Sequence, residues 1–91
     1  MNLHSKVISL LLKRDVVEEG MSFTDAYASS GVCSPSRYTL LTGRYQWRSR
    51  LQEGIVRLYE RPLITPDRLT LGGLVNEHGY QIACIGKWHL G

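Results

Sequence analysis

The sequence has few of the residues that cross-link small domains or anchor a chain in a membrane. Its 91 residues include two cysteines, Cys33 and Cys84, so at most one disulfide could form and a disulfide framework is excluded. The longest apolar run, between Val7 and Leu12, is interrupted by Ser9 and is too short for a transmembrane helix. The chain is 43% hydrophobic and 21% charged, which excludes a disordered composition.

Signals for export and for zinc binding are also missing. Residues 1–20 contain only a short apolar stretch, with Lys13 and Arg14 following it. No small-residue cleavage site comes after that stretch, so we expect no export signal in this sequence. The two cysteines and three histidines show no zinc-ligand spacing. Cys84 lies in an apolar run, and we predict a buried, inert thiol there.

The chain is mildly basic, with a net charge of +3 and a pI near 9.1. This balance suits an anionic substrate but does not by itself indicate nucleic acid. Residues 44–61 mix arginines with Tyr45, Trp47 and Tyr59, a pattern that nucleic-acid-binding proteins also use. We favour a solvated, irregular segment that is packed by its aromatic rings. A third interpretation, between this one and nucleic-acid binding, is that the segment forms part of a groove for a sulfated polymer. We expect neither a nucleic-acid partner nor a membrane partner.

The stretch from Cys33 to Arg44, Cys-Ser-Pro-Ser-Arg-Tyr-Thr-Leu-Leu-Thr-Gly-Arg, predicts a nucleophile at the start of a short helix. Ser34 is a favourable N-cap, Pro35 suits the first helical position, and Gly43 suits a left-handed C-terminal cap. Cys33 then lies just outside the helix, where free backbone N–H groups favour anions. Arg37 lies one turn further on and can hold an oxyanion with two donors.

The remaining pattern alternates between helices and strands. Residues 5–19 predict a helix with apolar side chains at helical spacing, and residues 21–28 predict a strand. Thr70 predicts the start of a helix that runs to about His78, and residues 80–85 predict a buried strand. This order indicates an α/β fold. Lys87 and His89 follow the last strand, at the sheet edge where ligand sites gather, although we expect the tail after Ile85 to be mobile.

Two motifs resemble the type I sulfatases, the formylglycine-dependent arylsulfatase family. One is Cys-x-Pro-x-Arg followed by Leu-Leu-Thr-Gly-Arg within residues 33–44, and the other is Gly-Tyr-Gln-Ile-Ala-Cys-Ile-Gly-Lys-Trp-His-Leu-Gly at residues 79–91. The resemblance covers about residues 18–91 and is strongest to bacterial arylsulfatases. It implies that residues 1–91 are part of the N-terminal region of an alkaline-phosphatase-like domain. The implied fold is α/β, a fragment of a three-layer sandwich with a mainly parallel sheet.

The resemblance also implies the chemistry of the site. Cys33 would be oxidised to formylglycine by a maturation enzyme, and the modified residue would also be a ligand of a calcium ion. Arg37 would hold the modified side chain, Lys87 would contact it and the sulfate, and His89 would hydrogen-bond its hydrated form. The family's early calcium ligands are an adjacent aspartate pair, whereas the aspartates of this chain are isolated, at positions Asp15, Asp25 and Asp67.

These features predict a sulfuric ester hydrolase of the arylsulfatase type, present as an incomplete domain and inactive alone. Its substrate would be an aryl sulfate or a sulfated carbohydrate, and the full-length family is periplasmic or secreted. Two alternatives stay open. One is a non-catalytic sulfatase remnant or basic binding module, and the other is a formylglycine-dependent phosphonate or phosphodiester hydrolase.

Overall fold

Local helix signals account for the regular structure of this chain. The computed structural model describes residues 3–91, with the backbone alone at His4 and Leu11. Over this range the regular elements are all helical: α1 (Leu3–Leu11), π-helical turns (Leu12–Glu18), α2 (Cys33–Thr42), a 3₁₀ turn (Gln46–Arg48) and α3 (Leu71–Glu77). No helix within residues 3–91 is long and apolar enough to cross a membrane.

The helix predicted over residues 5–19 is confirmed, with a change to π-type hydrogen bonding after Leu11. Its periodic apolar side chains Ile8, Leu12 and Val16 are about half exposed, and the side chain of Leu11 lies outside the described residues. Among the elements of residues 3–91, α1 contacts only the π-helical turns that continue it. The apolar face of this helix is therefore not covered by the rest of the described chain.

Helix α2 begins two residues earlier than its sequence predicts. Its N-cap is Val32 and its first residue is Cys33, so the N-cap role predicted for Ser34 is wrong and Pro35 takes the third helical position. Pro35 is tolerated there because the first-turn N–H groups have no helical partner in any case. The predicted end is confirmed, since Gly43 adopts a φ of 68° and donates to the Thr39 carbonyl at 2.8 Å.

Helix α3 is bounded by the signals that its sequence carries. The Thr70 hydroxyl accepts from the Gly73 amide at 3.1 Å, as an N-cap does. At the other end, Gly79 has a φ of 83°, and the amides of Gly79 and Tyr80 donate back to Asn76 and Val75. This pair of bonds is the Schellman arrangement that ends many helices.

The two strands predicted over residues 21–28 and 80–85 are absent, because no strand occurs anywhere in residues 3–91. The α/β prediction is therefore wrong for the architecture of the described chain. A helix satisfies its backbone groups internally, whereas a strand needs a neighbouring strand, and these segments do not pair. Cys84 is accordingly exposed and not buried as predicted, and Ile85 is 95% exposed.

The core is small and lies between α2 and the irregular chain that follows it. It consists of five buried apolar residues: Tyr38, Leu51, Val56, Leu63 and Leu90. Leu90 is only 1% exposed, and its carbonyl accepts from the Leu63 amide at 2.7 Å. The expectation of a mobile tail after Ile85 is wrong for this last part, which packs against the core.

Candidate functional site

The start of α2 and the end of the described chain meet at Cys33. Its Sγ atom lies 3.0 Å from Nδ1 of His89, across 56 residues of sequence. Both residues are half-buried. His89 has a φ of 55°, a left-handed conformation that is uncommon for a residue with a side chain. The imidazole and the thiol are therefore a directly contacting pair.

Ser34 links this pair to the core. Its side chain is fully buried. The hydroxyl donates to the His89 carbonyl at 2.9 Å and accepts from the Val56 amide at 3.1 Å. One side chain in the first turn of α2 thus joins three segments that are distant in sequence.

Arg37 approaches the backbone of Lys87. Its Nη1 group donates to the Lys87 carbonyl, while its buried Nε has no hydrogen-bond partner within the described residues. The Lys87 side chain is exposed. Neither cation takes part in an ion pair in residues 3–91, so no carboxylate among these residues neutralises either charge.

An open cavity of about 510 Å³ adjoins the start of α2. Its lining includes Cys33, Ser36 and Arg37 but neither Lys87 nor His89. Cys33 therefore borders this open cavity, and its Sγ atom contacts the imidazole of His89. Within the last residues of the chain, the Trp88 indole donates a hydrogen bond to the Gly91 carbonyl at 2.9 Å.

The residues described do not form a calcium site. Calcium binds six to eight oxygen ligands, of which several are carboxylates. Within residues 3–91 no group of three or more acidic, histidine or cysteine side chains is placed to hold a metal ion. The donor set required for calcium is thus not contained in this part of the chain.

The arginine-rich segment is irregular apart from the 3₁₀ turn, as predicted, but its aromatic rings do not bury it, since Tyr45 and Trp47 are about half exposed and Tyr59 is 96% exposed. The rings of Tyr45 and Trp47 stack with centroids 4.1 Å apart and planes at 11°. Arg50 donates to the Arg61 carbonyl and lies 3.9 Å from the Glu60 carboxylate. Part of this positive charge is therefore used within the segment.

The motif residues Cys33, Arg37, Lys87 and His89 were all identified from the sequence, and their catalytic roles stay predictions. The structure brings Cys33 against His89 and Arg37 against the backbone of Lys87. Sequence reasoning missed the link made by Ser34. No local signal could have found it, because its two partners lie 22 and 55 residues away.

Comparisons with known proteins agree with these motifs. The sequence model of the family described as Sulfatase matches residues 2–91. The chain is 41% identical over 73 residues to an N-acetylgalactosamine-6-O-sulfatase of Bacteroides thetaiotaomicron, covering 80% of this chain and 14% of that protein. It is 40% identical over 72 residues to arylsulfatase A of Bos taurus, covering 79% and 14%.

A steryl-sulfatase of Mus musculus is 38% identical over 81 residues, covering 84% of this chain and 13% of that protein. The matched region thus spans about one seventh of the length of these curated relatives, 14% for the first two. No solved structure matches the chain.

Proposed function

The chain belongs to the sulfatase family, and on that premise we propose that it carries the nucleophile of a sulfuric ester hydrolase. Cys33 is the precursor of a formylglycine, and its neighbours Arg37, Lys87 and His89 serve the reaction. The activity belongs to a whole sulfatase domain, of which these residues form the early part. The fold proposed for that whole domain is the alkaline-phosphatase-like sandwich with a mainly parallel sheet.

The observation that carries the proposal is the 3.0 Å contact between the Cys33 thiol and the His89 imidazole. These residues come from the two family motifs and are separated by 56 positions. The contact brings a titratable imidazole to the thiol at a residue that also borders an open cavity. The contact therefore supports a reactive position at Cys33.

The surroundings of Cys33 suit the modified residue. When formed, hydrated formylglycine supplies two hydroxyls on one carbon, one to take the sulfuryl group from the ester and one to expel sulfate afterwards. His89, at hydrogen-bond distance, orients the hydroxyls and can accept a proton from them. Arg37 and Lys87 supply positive charge next to the sulfuryl oxygens, where negative charge grows during the transfer.

Calcium is part of the proposal for the whole domain. Cys33, as formylglycine, would be one ligand, and the carboxylates must come from outside the group of residues described. The proposed substrate class is a sulfate ester, either an aryl sulfate or a sulfated carbohydrate, and the proposed location of the full-length protein is periplasmic or secreted. The mildly basic charge of +3 supports an anionic substrate.

The alternatives differ in what they require of Cys33. A non-catalytic remnant or basic binding module needs no modification. A formylglycine-dependent phosphonate or phosphodiester hydrolase needs the same modification and shares the anion-binding cations. An unmodified Cys33 therefore favours the remnant, whereas turnover of a sulfate or of a phosphodiester by the complete domain separates the two enzymes from the remnant and from each other.

The decisive experiment is co-production of the chain with a formylglycine-generating enzyme, followed by peptide mass spectrometry. We expect the peptide with Cys33 to carry the aldehyde, because Cys33, Pro35 and Arg37 stand at the offsets that such enzymes recognise. Cys84 provides the internal control, since it has no proline or arginine at those offsets and should keep its thiol. A Cys33 peptide that keeps only the thiol mass, while a control sulfatase is converted, contradicts the proposal.

A further inference from the structure

We propose that Ser34 is a positioning residue that sets His89 against Cys33. The inference builds on the proposed function, which makes Cys33 and His89 the working pair of the site. Ser34 itself does not contact the reacting atoms. It acts through the backbone of His89, which its hydroxyl binds from inside the core.

The geometry of the hydroxyl supports this role. It donates to the His89 carbonyl at 2.9 Å and accepts from the Val56 amide at 3.1 Å. Ser34 is 0% exposed, so its hydroxyl makes both bonds from a position without solvent contact. Burying a carbonyl or an amide without a partner is unfavourable, and both bonds therefore resist small displacements of the tail.

The conformation of His89 explains why such a hold is needed. Its φ of 55° is disfavoured for a residue with a β-carbon, and such conformations persist only where the surroundings hold them. The next residue, Leu90, is anchored by its buried side chain and by the Leu63 amide. Ser34 binds the carbonyl of His89, next to the anchored Leu90. This bond fixes the His89 backbone so that Nδ1 of the imidazole points towards the thiol of Cys33.

The bond from Arg37 to the Lys87 carbonyl does not substitute for Ser34. It is solvent-exposed, and it binds the chain two residues before His89. Rotation of the backbone between Lys87 and His89 would leave this bond intact while the imidazole moves away. Ser34 makes the only hydrogen bond from α2 to the His89 backbone among the residues described.

The test is the alkylation rate of Cys33 by iodoacetamide, followed by peptide mass spectrometry on the complete, unconverted chain. Iodoacetamide reacts at the Sγ atom of Cys33, which the His89 imidazole contacts at 3.0 Å, so the rate reports whether that contact is kept. We expect His89→Ala to lower the alkylation rate of Cys33 by about fivefold. This factor is within the range of coupling energies between contacting residues. Ser34→Ala should produce the same decrease, and the double variant should show no further decrease.

Three controls separate positioning from general loosening of the fold. Ser34→Thr keeps the hydroxyl but adds a methyl group at a fully buried position, and it should keep a Cys33 rate closer to the wild type than Ser34→Ala does. Ser49→Ala removes another bridging hydroxyl, which binds only the nearby Gln46 carbonyl and Leu51 amide, and should leave the Cys33 rate unchanged. The exposed thiol of Cys84 gives a reference rate within each sample.

Several results would overturn the proposal. These are an unchanged Cys33 rate in Ser34→Ala, additive effects of Ser34→Ala and His89→Ala, or a rate that His89→Ala does not alter. If Ser34→Ala does not fold, hydrogen exchange of the wild-type chain decides. The Val56 amide should then exchange about tenfold or more slowly than an exposed amide, and an unprotected Val56 amide overturns the proposal. Because the thiol form is used throughout, failure of formylglycine conversion leaves this test unaffected.

Discussion

Gly43 ends α2 in a conformation that only glycine adopts without strain. Its φ is 68°, and an added β-carbon would meet no atom within 4 Å. The cost of Gly43→Ala is therefore conformational and not steric. We expect the free energy of unfolding to fall by about 1 kcal/mol, measured by urea denaturation.

Gly31→Ala is the matched control for that prediction. Gly31 also has open space around its β-position, and its φ is not in the left-handed region. Its substitution should change the free energy of unfolding by less than about 0.5 kcal/mol. Equal effects of the two substitutions would show that the backbone of Gly43 does not determine the cost.

Leu90 connects the site to the core through its side chain. It is 1% exposed and packs in the cluster with Tyr38, Val56 and Leu63. We expect Leu90→Ala to lower the free energy of unfolding by about 2–5 kcal/mol, because a cavity remains in a core of only a few residues. Thermal denaturation followed by circular dichroism measures the loss.

Leu40→Ala is the corresponding control, since Leu40 is 72% exposed and its removal leaves no cavity. Its effect should stay within about 0.5 kcal/mol. A Leu90→Ala variant as stable as Leu40→Ala would contradict the burial of the tail.

The motif residues of the candidate site, and the contact between Cys33 and His89, could be predicted from the sequence motifs, but the link made by Ser34 could not. Cys33 and Arg37 stand in one motif, Lys87 and His89 in another, and each motif identifies its residues by fixed spacing. Ser34 follows the usual pattern of an N-cap, yet its hydroxyl bonds to backbone groups 22 and 55 residues away. The spacing of residues in a motif predicts contacts within one helical turn. It does not predict which distant backbone group a hydroxyl binds.

The turn at Thr65–Arg68 is the element whose stability should depend on pH. The Arg68 amide donates to the Thr65 carbonyl at 2.9 Å, and Pro66 suits the second turn position. A hydrogen bond from the Thr65 side chain, with smaller help from the backbone and from Arg68, lowers the pKa of Asp67 below its usual value. The charged carboxylate therefore stabilises the turn above the ordinary pKa, and this contribution is lost as the pH falls through the lowered pKa.

We expect Thr65→Ala to raise the pKa of Asp67 towards its ordinary value, because the largest cause of its lowering is removed. An NMR titration of the Asp67 carboxyl carbon measures the change. Thr65→Ser keeps a hydroxyl at the same position and should keep the pKa of Asp67 lowered. An identical pKa of Asp67 in the alanine and serine variants would contradict the assigned bond.

Helices were predicted well from the sequence and strands were not, for a physical reason. The caps at Thr70 and Gly43 and the apolar spacing of residues 5–19 act within a few residues, so the sequence contains them. Residues 21–28 and 80–85 have the composition of strands, but a strand forms only when another backbone lies beside it. These segments keep the apolar pattern of a strand, but no neighbouring strand pairs with them, and side chains such as Phe23 and Ile85 are exposed.

At the scale of the whole molecule, the chain holds the proposed nucleophile, Cys33, without a metal site among its described residues. It matches 14% of the length of its curated relatives, and no cluster of metal ligands occurs in residues 3–91. We expect residues 1–91, with Cys33 converted, not to hydrolyse an activated aryl sulfate measurably even with calcium. Loss of a single preorganised donor already lowers rates by about a hundredfold or more.

The assay compares the purified, converted chain with Cys33→Ala, with and without added calcium. Equal, background rates in all samples are the expected outcome. Calcium-dependent turnover well above the Cys33→Ala rate would contradict this expectation. It would mean that residues 1–91 contain a complete metal site, although no cluster of metal ligands is present in residues 3–91.

The bonds that join α2 to the tail also set the order in which the chain folds. They connect residues that are 50, 55 and 56 positions apart, and contacts of high sequence separation form slowly because a long loop must close first. The bonds of helix α2 and its C-terminal cap at Gly43 are local, whereas the contact of His89 with Cys33 requires that closure. Until then the imidazole is not docked over the thiol. We therefore expect a modifying enzyme to reach Cys33 more easily before this closure than after His89 has docked on it.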